Sequence, residues 1–255
     1  MTAPNTSSSD HALPDVEPAA TPGERARAYA VHVFTACGVV CVFLAAAELC
    51  RPVPDARVVF AYLAAQVLID AVDGPMARRW QVKRFAPHID GRTIDDIVDY
   101  LSYTFVPLLL VWRLGWVPAP AALWVAPAMV ASLFGFANTG AKDERAGFFL
   151  GFPSYWNIVA LYAGLFHAAF GPWPGGLLIA ALTILTVCPV RFLYPNLAPH
   201  PWRWPVLLGS AIWLVQVVFL LPTFPHVSMP ALWASLIYPV AYVLLSLYLD
   251  RRRVT

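Results

Sequence analysis

Two short segments of this 255-residue chain hold four carboxylates at a spacing that suits metal-assisted chemistry. Asp70 and Asp73 are three residues apart and Asp95 and Asp99 are four apart, so on a helix each pair lies on one face. All four fall where hydrophobic stretches meet polar ones, and acids at the edge of a bilayer are costly to desolvate and mark ion or substrate sites. If the end of one helix packs beside the start of the next, the four carboxylates converge, and their repulsion raises their pKa values until cations bind between them. Oxygen donors suit Mg²⁺ or Mn²⁺, ions that commonly hold substrate phosphates. No His/Cys cluster nearby supplies zinc ligands. The pattern reads as a two-metal phosphotransfer site, in which the ions would stabilise both the attacking and the leaving oxygen.

The residues around the acids extend this reading. Gly74, Ala77 and Gly91 leave backbone room for a nucleotide to approach, and Arg78 offers a fork of donors to a diphosphate. Taken singly, small residues also help helices pack in a membrane, and an arginine also anchors a span on its cytoplasmic side. Those explanations account for each residue alone but not for all eight positions together.

Asp70-x₂-Asp73-Gly74-x₂-Ala77-Arg78, then residues 79 to 90, then Gly91-x₃-Asp95-x₃-Asp99 resembles the signature of the CDP-alcohol phosphotransferases, with every signature position present. Most members place fewer residues between the arginine and the second glycine, and the twelve here resemble the bacterial phosphatidylcholine synthase branch. The resemblance implies six core helices, often a homodimer, and transfer of a phosphatidyl group from CDP-diacylglycerol to choline with release of CMP. It assigns Asp70, Asp73 and Asp95 as principal ligands of two Mn²⁺ or Mg²⁺ ions, and Gly74, Ala77, Arg78 and Gly91 to CDP-diacylglycerol. Asp99 is then the general base, placed to touch a metal as well. Glycerol phosphate, serine or an inositol compound stands as an alternative acceptor, because the motif specifies the donor better than the alcohol. A cation transporter is the alternative from another class, although acids are nearly absent from the spans beyond Asp99.

The choline-binding residues are not identified by the motif. A quaternary ammonium sits well over aromatic faces or beside carboxylates, which makes Tyr100, Tyr103, Tyr155 and Trp156 candidates by proximity, with Asp143 and Glu144 as sources of negative potential. An aromatic belt at the membrane interface predicts the same aromatics. Asp90 and Asp96 flank signature positions without belonging to them, and read as helix-capping or surface charges, or as ion-pair partners of Arg92. His32, His167 and His226 read as polar contacts and His88 as a solvated loop residue. Cys37, Cys41, Cys50 and Cys188 have neither metal-ligand nor disulfide-framework spacing.

These residues must be carried by membrane helices. Hydrophobic residues make up 59% of the chain and charged residues 13%, with a mean hydropathy of +0.62, far from soluble averages. Stretches long enough to cross the hydrocarbon core fall near residues 29 to 50, 56 to 73, 95 to 115, 119 to 140, 154 to 171, 174 to 191, 205 to 222 and 229 to 249. The fold expected is an all-α polytopic membrane protein of about eight transmembrane helices, two of them C-terminal additions to the six-helix core. Of the 17 lysines and arginines, only Arg51, Arg57 and Arg113 fall on one side of that arrangement. The positive-inside rule therefore places both termini and the acids in the cytoplasm, and the resemblance implies the inner membrane of a bacterium. Residues 1 to 24, rich in Ser, Pro, Ala and Thr, read as a disordered tail before a catalytic domain of residues 25 to 250 and a basic tail of 251 to 255. Pro22 to Tyr29 suggest a short interfacial helix ahead of the first span. The substrates the resemblance implies are a lipid and a small alcohol, and nothing in the sequence points to nucleic acid.

Overall fold

Apolar runs with well-formed caps produce the two helices that lead into the motif. A computed structural model describes residues 20 to 254 except 141, 144 and 145, so the tail expected before residue 20 and Glu144 lie outside the described residues. Helix α1 (Pro22–Leu49) starts with a capping box, in which Thr21 accepts from the Glu24 backbone and Glu24 reaches back to the Thr21 N–H at 2.8 Å. It runs unbroken through the residues expected to form a separate interfacial helix, because nothing between Pro22 and Tyr29 interrupts the backbone ladder once this cap has started it. Helix α2 (Ala56–Arg79) is capped by Asp55, whose carboxylate also meets Arg57 at 2.7 Å. After the left-handed residue Gln81 and the single turn α3 (Val82–Phe85), helix α4 (Gly91–Asp99) begins at the N-cap Asp90.

The stretch expected as one span, 95 to 115, consists of α4, a π-helical turn (Tyr100–Phe105) and α5 (Val106–Arg113). Pro107 explains the widening. In a regular α-helix its ring would clash with the carbonyl four residues back, that of Tyr103. Instead Val106 donates to the Leu101 carbonyl, five residues back.

Five further helices follow: α6 (Ala122–Ala137), α7 (Trp156–Phe170), α8 (Pro172–Val187), α9 (Arg203–Leu220) and α10 (Met229–Val254). Four stretches are long and apolar enough to cross a membrane, namely α1, α2, α9 with the turn that extends it to Thr223, and α10 as far as Arg252. Helices α6, α7 and α8 have 16, 15 and 16 residues. At 1.5 Å per residue each reaches about 24 Å, short of the roughly 30 Å hydrocarbon core. Their lengths differ from those expected because residues at their ends fold otherwise. Strands β1 (Lys142–Asp143), β2 (Phe148–Leu150) and β3 (Arg191–Leu193) form a small antiparallel sheet. The all-α expectation did not include it.

The outer edge of β3 is satisfied by side chains spaced four apart on α10. Tyr242 donates to the Leu193 carbonyl at 2.6 Å, Ser246 accepts from the Leu193 N–H at 3.1 Å, and Asp250 accepts from the Arg191 N–H at 3.2 Å. The core proper lies among α5, α7 and α8, where Leu108, Leu110, Trp156 and Ile179 are fully buried. Apolar side chains such as Phe43, Leu68, Phe134, Phe219 and Ile237 instead point outward, as lipid-facing residues of a membrane protein do.

Candidate active site

Helix α1 brings the two halves of the motif together. It packs along both α2 and α4, and Gly38 marks the junction. A Cβ there would collide with the buried Gln66 amide of α2 and come within 3.0 Å of Val98 on α4. Farther toward the N-terminus of α1, the buried His32 ring lies against Gly91, where a Cβ would stand 2.8 Å from its Cε1. Gly91 thus has a helix-packing duty.

Across this junction Asp70 of α2 faces Asp95 and Asp99 of α4, and one carboxylate oxygen from each lies within 4.8 Å of the other two. Asp73, one turn along α2 from Asp70, is buried at 7% exposure and does not belong to this group of three. Three carboxylates this close repel one another, and a cation relieves the repulsion. All donors are oxygens at half-buried positions, a set that fits a hard divalent ion and not zinc.

The π-helical turn adds a fourth group. Tyr103, four residues beyond Asp99, donates its hydroxyl to Asp70 Oδ2 at 2.9 Å and so ties α2 to the segment after α4. Its ring lies 6.4 Å from that of Tyr155, centroid to centroid.

The other aromatic candidates are occupied elsewhere. Trp156 is fully buried and donates to Ser132 Oγ at 2.7 Å. Tyr100 donates to the Met129 carbonyl at 3.2 Å and packs edge-on against Phe136. Asp143 accepts from the Ala146 N–H at 3.0 Å and shapes the turn between β1 and β2.

Around the rim, Gly74 is open, with only Arg78 Nη1 near a Cβ placed there, at 3.5 Å. Arg78 itself is exposed, one turn from Gly74, on a helix that Pro75 has deprived of a hydrogen bond. Ala77 packs into a small apolar cluster with Ala28, Val31 and Val82. Asp90 accepts from the Thr93 hydroxyl and the Arg92 N–H, and these hydrogen bonds hold its carboxyl below the ordinary range. Asp96 pairs with Arg92 at 3.6 Å.

One feature escaped the sequence reading. Ser154, immediately before Tyr155, adopts φ of +56°, a left-handed conformation rare for a residue with a side chain. Its hydroxyl meets that of Ser132 at 3.0 Å, and Ser132 also holds Trp156. The residues on both sides of Tyr155 are therefore pinned to one serine. A serine pair separated by 22 residues carries no sequence signal of such a bond.

The helices and the site define a membrane protein with an oxygen-lined candidate metal centre between two motif-bearing helices. Comparison with known proteins is specific. The chain is 36% identical to the phosphatidylcholine synthase of Pseudomonas aeruginosa over 178 residues, 69% of this chain and 72% of that protein. It is 37% identical to the phosphatidylcholine synthase of Bradyrhizobium diazoefficiens over 204 residues, 78% of this chain and 73% of that one. With the phosphatidylcholine synthase of Legionella pneumophila the identity is 32% over 244 residues, 91% and 92% of the two chains. No protein-family model and no solved structure matches. The chain belongs to the bacterial phosphatidylcholine synthase family.

Proposed function

We propose that this protein transfers the phosphatidyl group of CDP-diacylglycerol to choline, giving phosphatidylcholine and CMP, at a site open to the cytoplasm. The observation that supports this reading most is the meeting of Asp70, Asp95 and Asp99, drawn from both halves of the motif, within 4.8 Å. Two Mg²⁺ or Mn²⁺ ions held by these acids and Asp73 would neutralise the diphosphate and stabilise charge on the attacking and leaving oxygens.

The remaining steps belong to the side chains. Arg78, exposed beside the open surface of Gly74, binds the diphosphate with its planar fork. Tyr103 fixes the orientation of Asp70 through its hydroxyl. Asp99 takes the proton of the choline hydroxyl as that oxygen forms its bond to the phosphorus bearing the lipid. The bond from this phosphorus to the bridging oxygen breaks, its electron pair leaves with CMP, and Asp99 returns the proton to water.

The eight helical stretches are eight spans in this reading, the first six a catalytic core and α9 and α10 an addition, with two chains associating as a homodimer. Residues 25 to 250 are the catalytic domain. The test is CMP release by the purified protein from CDP-diacylglycerol, with Mn²⁺ or Mg²⁺ and with choline, serine, glycerol 3-phosphate or inositol in turn. Metal-dependent release with choline alone, accompanied by phosphatidylcholine, is the expected result. Release with another acceptor refutes choline, and a well-folded protein that releases nothing refutes the transferase reading.

A further inference from the structure

Choline carries its reacting hydroxyl two carbons from a trimethylammonium group. Whichever acid receives the hydroxyl proton must therefore have a cation site next to it, one side chain away. Beside the three carboxylates stand two tyrosine rings, Tyr103 and Tyr155, 6.4 Å apart and inclined at 58°. Tyr103 is joined directly to Asp70, so its ring begins where the acid cluster ends.

Tyr155 differs from Tyr238 and Tyr242 in how its hydroxyl is used. Tyr242 and Tyr238 spend their hydroxyls on the backbone carbonyls of Leu193 and Val206. Among the described residues, no hydrogen bond engages the Tyr155 hydroxyl. Its backbone, in contrast, is held by a costly arrangement, the left-handed Ser154 and the Ser132 hydroxyl that grips both Ser154 and Trp156. A residue with a side chain keeps such a backbone conformation only where its surroundings over-determine it. Here the arrangement holds the segment that places the Tyr155 ring between Tyr103 and Phe152, at 6.4 Å from each.

Resting on the choline-transfer reading, we infer that Tyr103 and Tyr155 are two walls of an aromatic site for the quaternary ammonium, with Asp70 and Asp99 supplying negative potential at its floor. The π-face of an aromatic ring attracts a cation that has no N–H to donate, without a hydrogen bond. The sheet and α10 support this site from behind, since β2 leads into the segment that bears Tyr155 and α10 satisfies the free edge of β3.

The experiment compares Tyr155→Leu and Tyr155→Phe in the full-length protein. Loss of the ring in Tyr155→Leu is expected to raise the KM for choline about tenfold, whereas Tyr155→Phe stays within about threefold of the parent, and the KM for CDP-diacylglycerol stays within about twofold in both. Tetramethylammonium, which has the cation but no hydroxyl, is expected to compete with choline in the parent and to lose potency in Tyr155→Leu by the same factor. An unchanged choline KM in Tyr155→Leu overturns the inference, as does a Tyr155→Phe variant as impaired as Tyr155→Leu, which would assign the role to the hydroxyl. Equilibrium binding of radiolabelled tetramethylammonium separates this inference from the proposed reaction. Saturable binding that Tyr155→Leu abolishes supports the cation site even if choline yields no CMP; absence of binding in a parent protein that does turn over choline sinks the site and leaves the reaction standing.

Discussion

Asp99 lies one helical turn beyond Asp95 and within the same group of carboxylates, so it is placed both to face a bound cation and to receive a proton. Asp99→Asn separates these duties. If proton transfer is its main task, turnover falls by about 10²–10⁴-fold while CDP-diacylglycerol binding in the presence of metal is retained. Loss of both together, measured by kcat and equilibrium binding side by side, identifies Asp99 as chiefly a metal ligand. Tyr103→Phe removes the hydrogen bond to Asp70 but keeps the ring. Metal affinity, read from the Mn²⁺ dependence of activity and from direct Mn²⁺ binding, is expected to weaken about 10- to 100-fold. Choline KM should hardly move, and a large rise would place the hydroxyl in acceptor recognition. The three acids were legible in the sequence because helical spacing alone puts 95 and 99 on one face, and a carboxylate near lipid is conspicuous. Gly91 was harder to interpret. A glycine is silent about whether a ligand or a neighbouring ring needs its space, and here the buried His32 lies against it.

Helices were visible at the scale of elements because apolar runs and their caps are local. What the hydropathy pattern misses is how a span is divided. Pro107 could be seen in the sequence, but its effect four residues upstream, on the segment that carries Tyr103, depends on the ring-to-carbonyl clash that a hydropathy profile does not register. Pro107→Ala restores the missing N–H and permits a regular α-helix through residues 100 to 105. That rewinding would turn Tyr103 away from Asp70, so metal affinity should drop about as far as in Tyr103→Phe, roughly 10- to 100-fold, without loss of thermal stability. If metal affinity is unchanged, packing against α7 and not the proline maintains the π-turn. The small sheet was illegible for a related reason. Strands of two or three residues have no period to detect, and β3 is completed by Tyr242, Ser246 and Asp250 from a helix about fifty residues later. Ser246→Ala leaves the buried Leu193 N–H without its acceptor and is expected to cost about 1–3 kcal/mol, measurable as a lowered melting temperature in detergent.

For the molecule as a whole, orientation decides whether the acids face a pool of soluble choline and CMP. Helix α1 has 28 residues and rises about 42 Å, long enough for its two ends to reach opposite faces of a bilayer. Cys50 is exposed at its C-terminal end, beside Arg51 and Arg57, whereas Lys83 is exposed in the basic loop between the two halves of the motif. The excess of arginine and lysine on the Lys83 side argues that this face, with the carboxylate cluster, is cytoplasmic. A membrane-impermeant maleimide tests the orientation in intact spheroplasts. Cys50 is expected to react from outside, while in a Cys50→Ser background the substitution Lys83→Cys should react only after permeabilisation. Cys37 and Cys41, in the middle of α1, give no signal in either case because the reagent does not enter the hydrocarbon layer. The reverse pattern would put the acids on the outer face, away from the nucleotide-linked lipid they are proposed to use. It would also require the basic loop to have been translocated against the charge bias that orients membrane helices, so the labelling result tests the placement of the site and the physical rule behind it together.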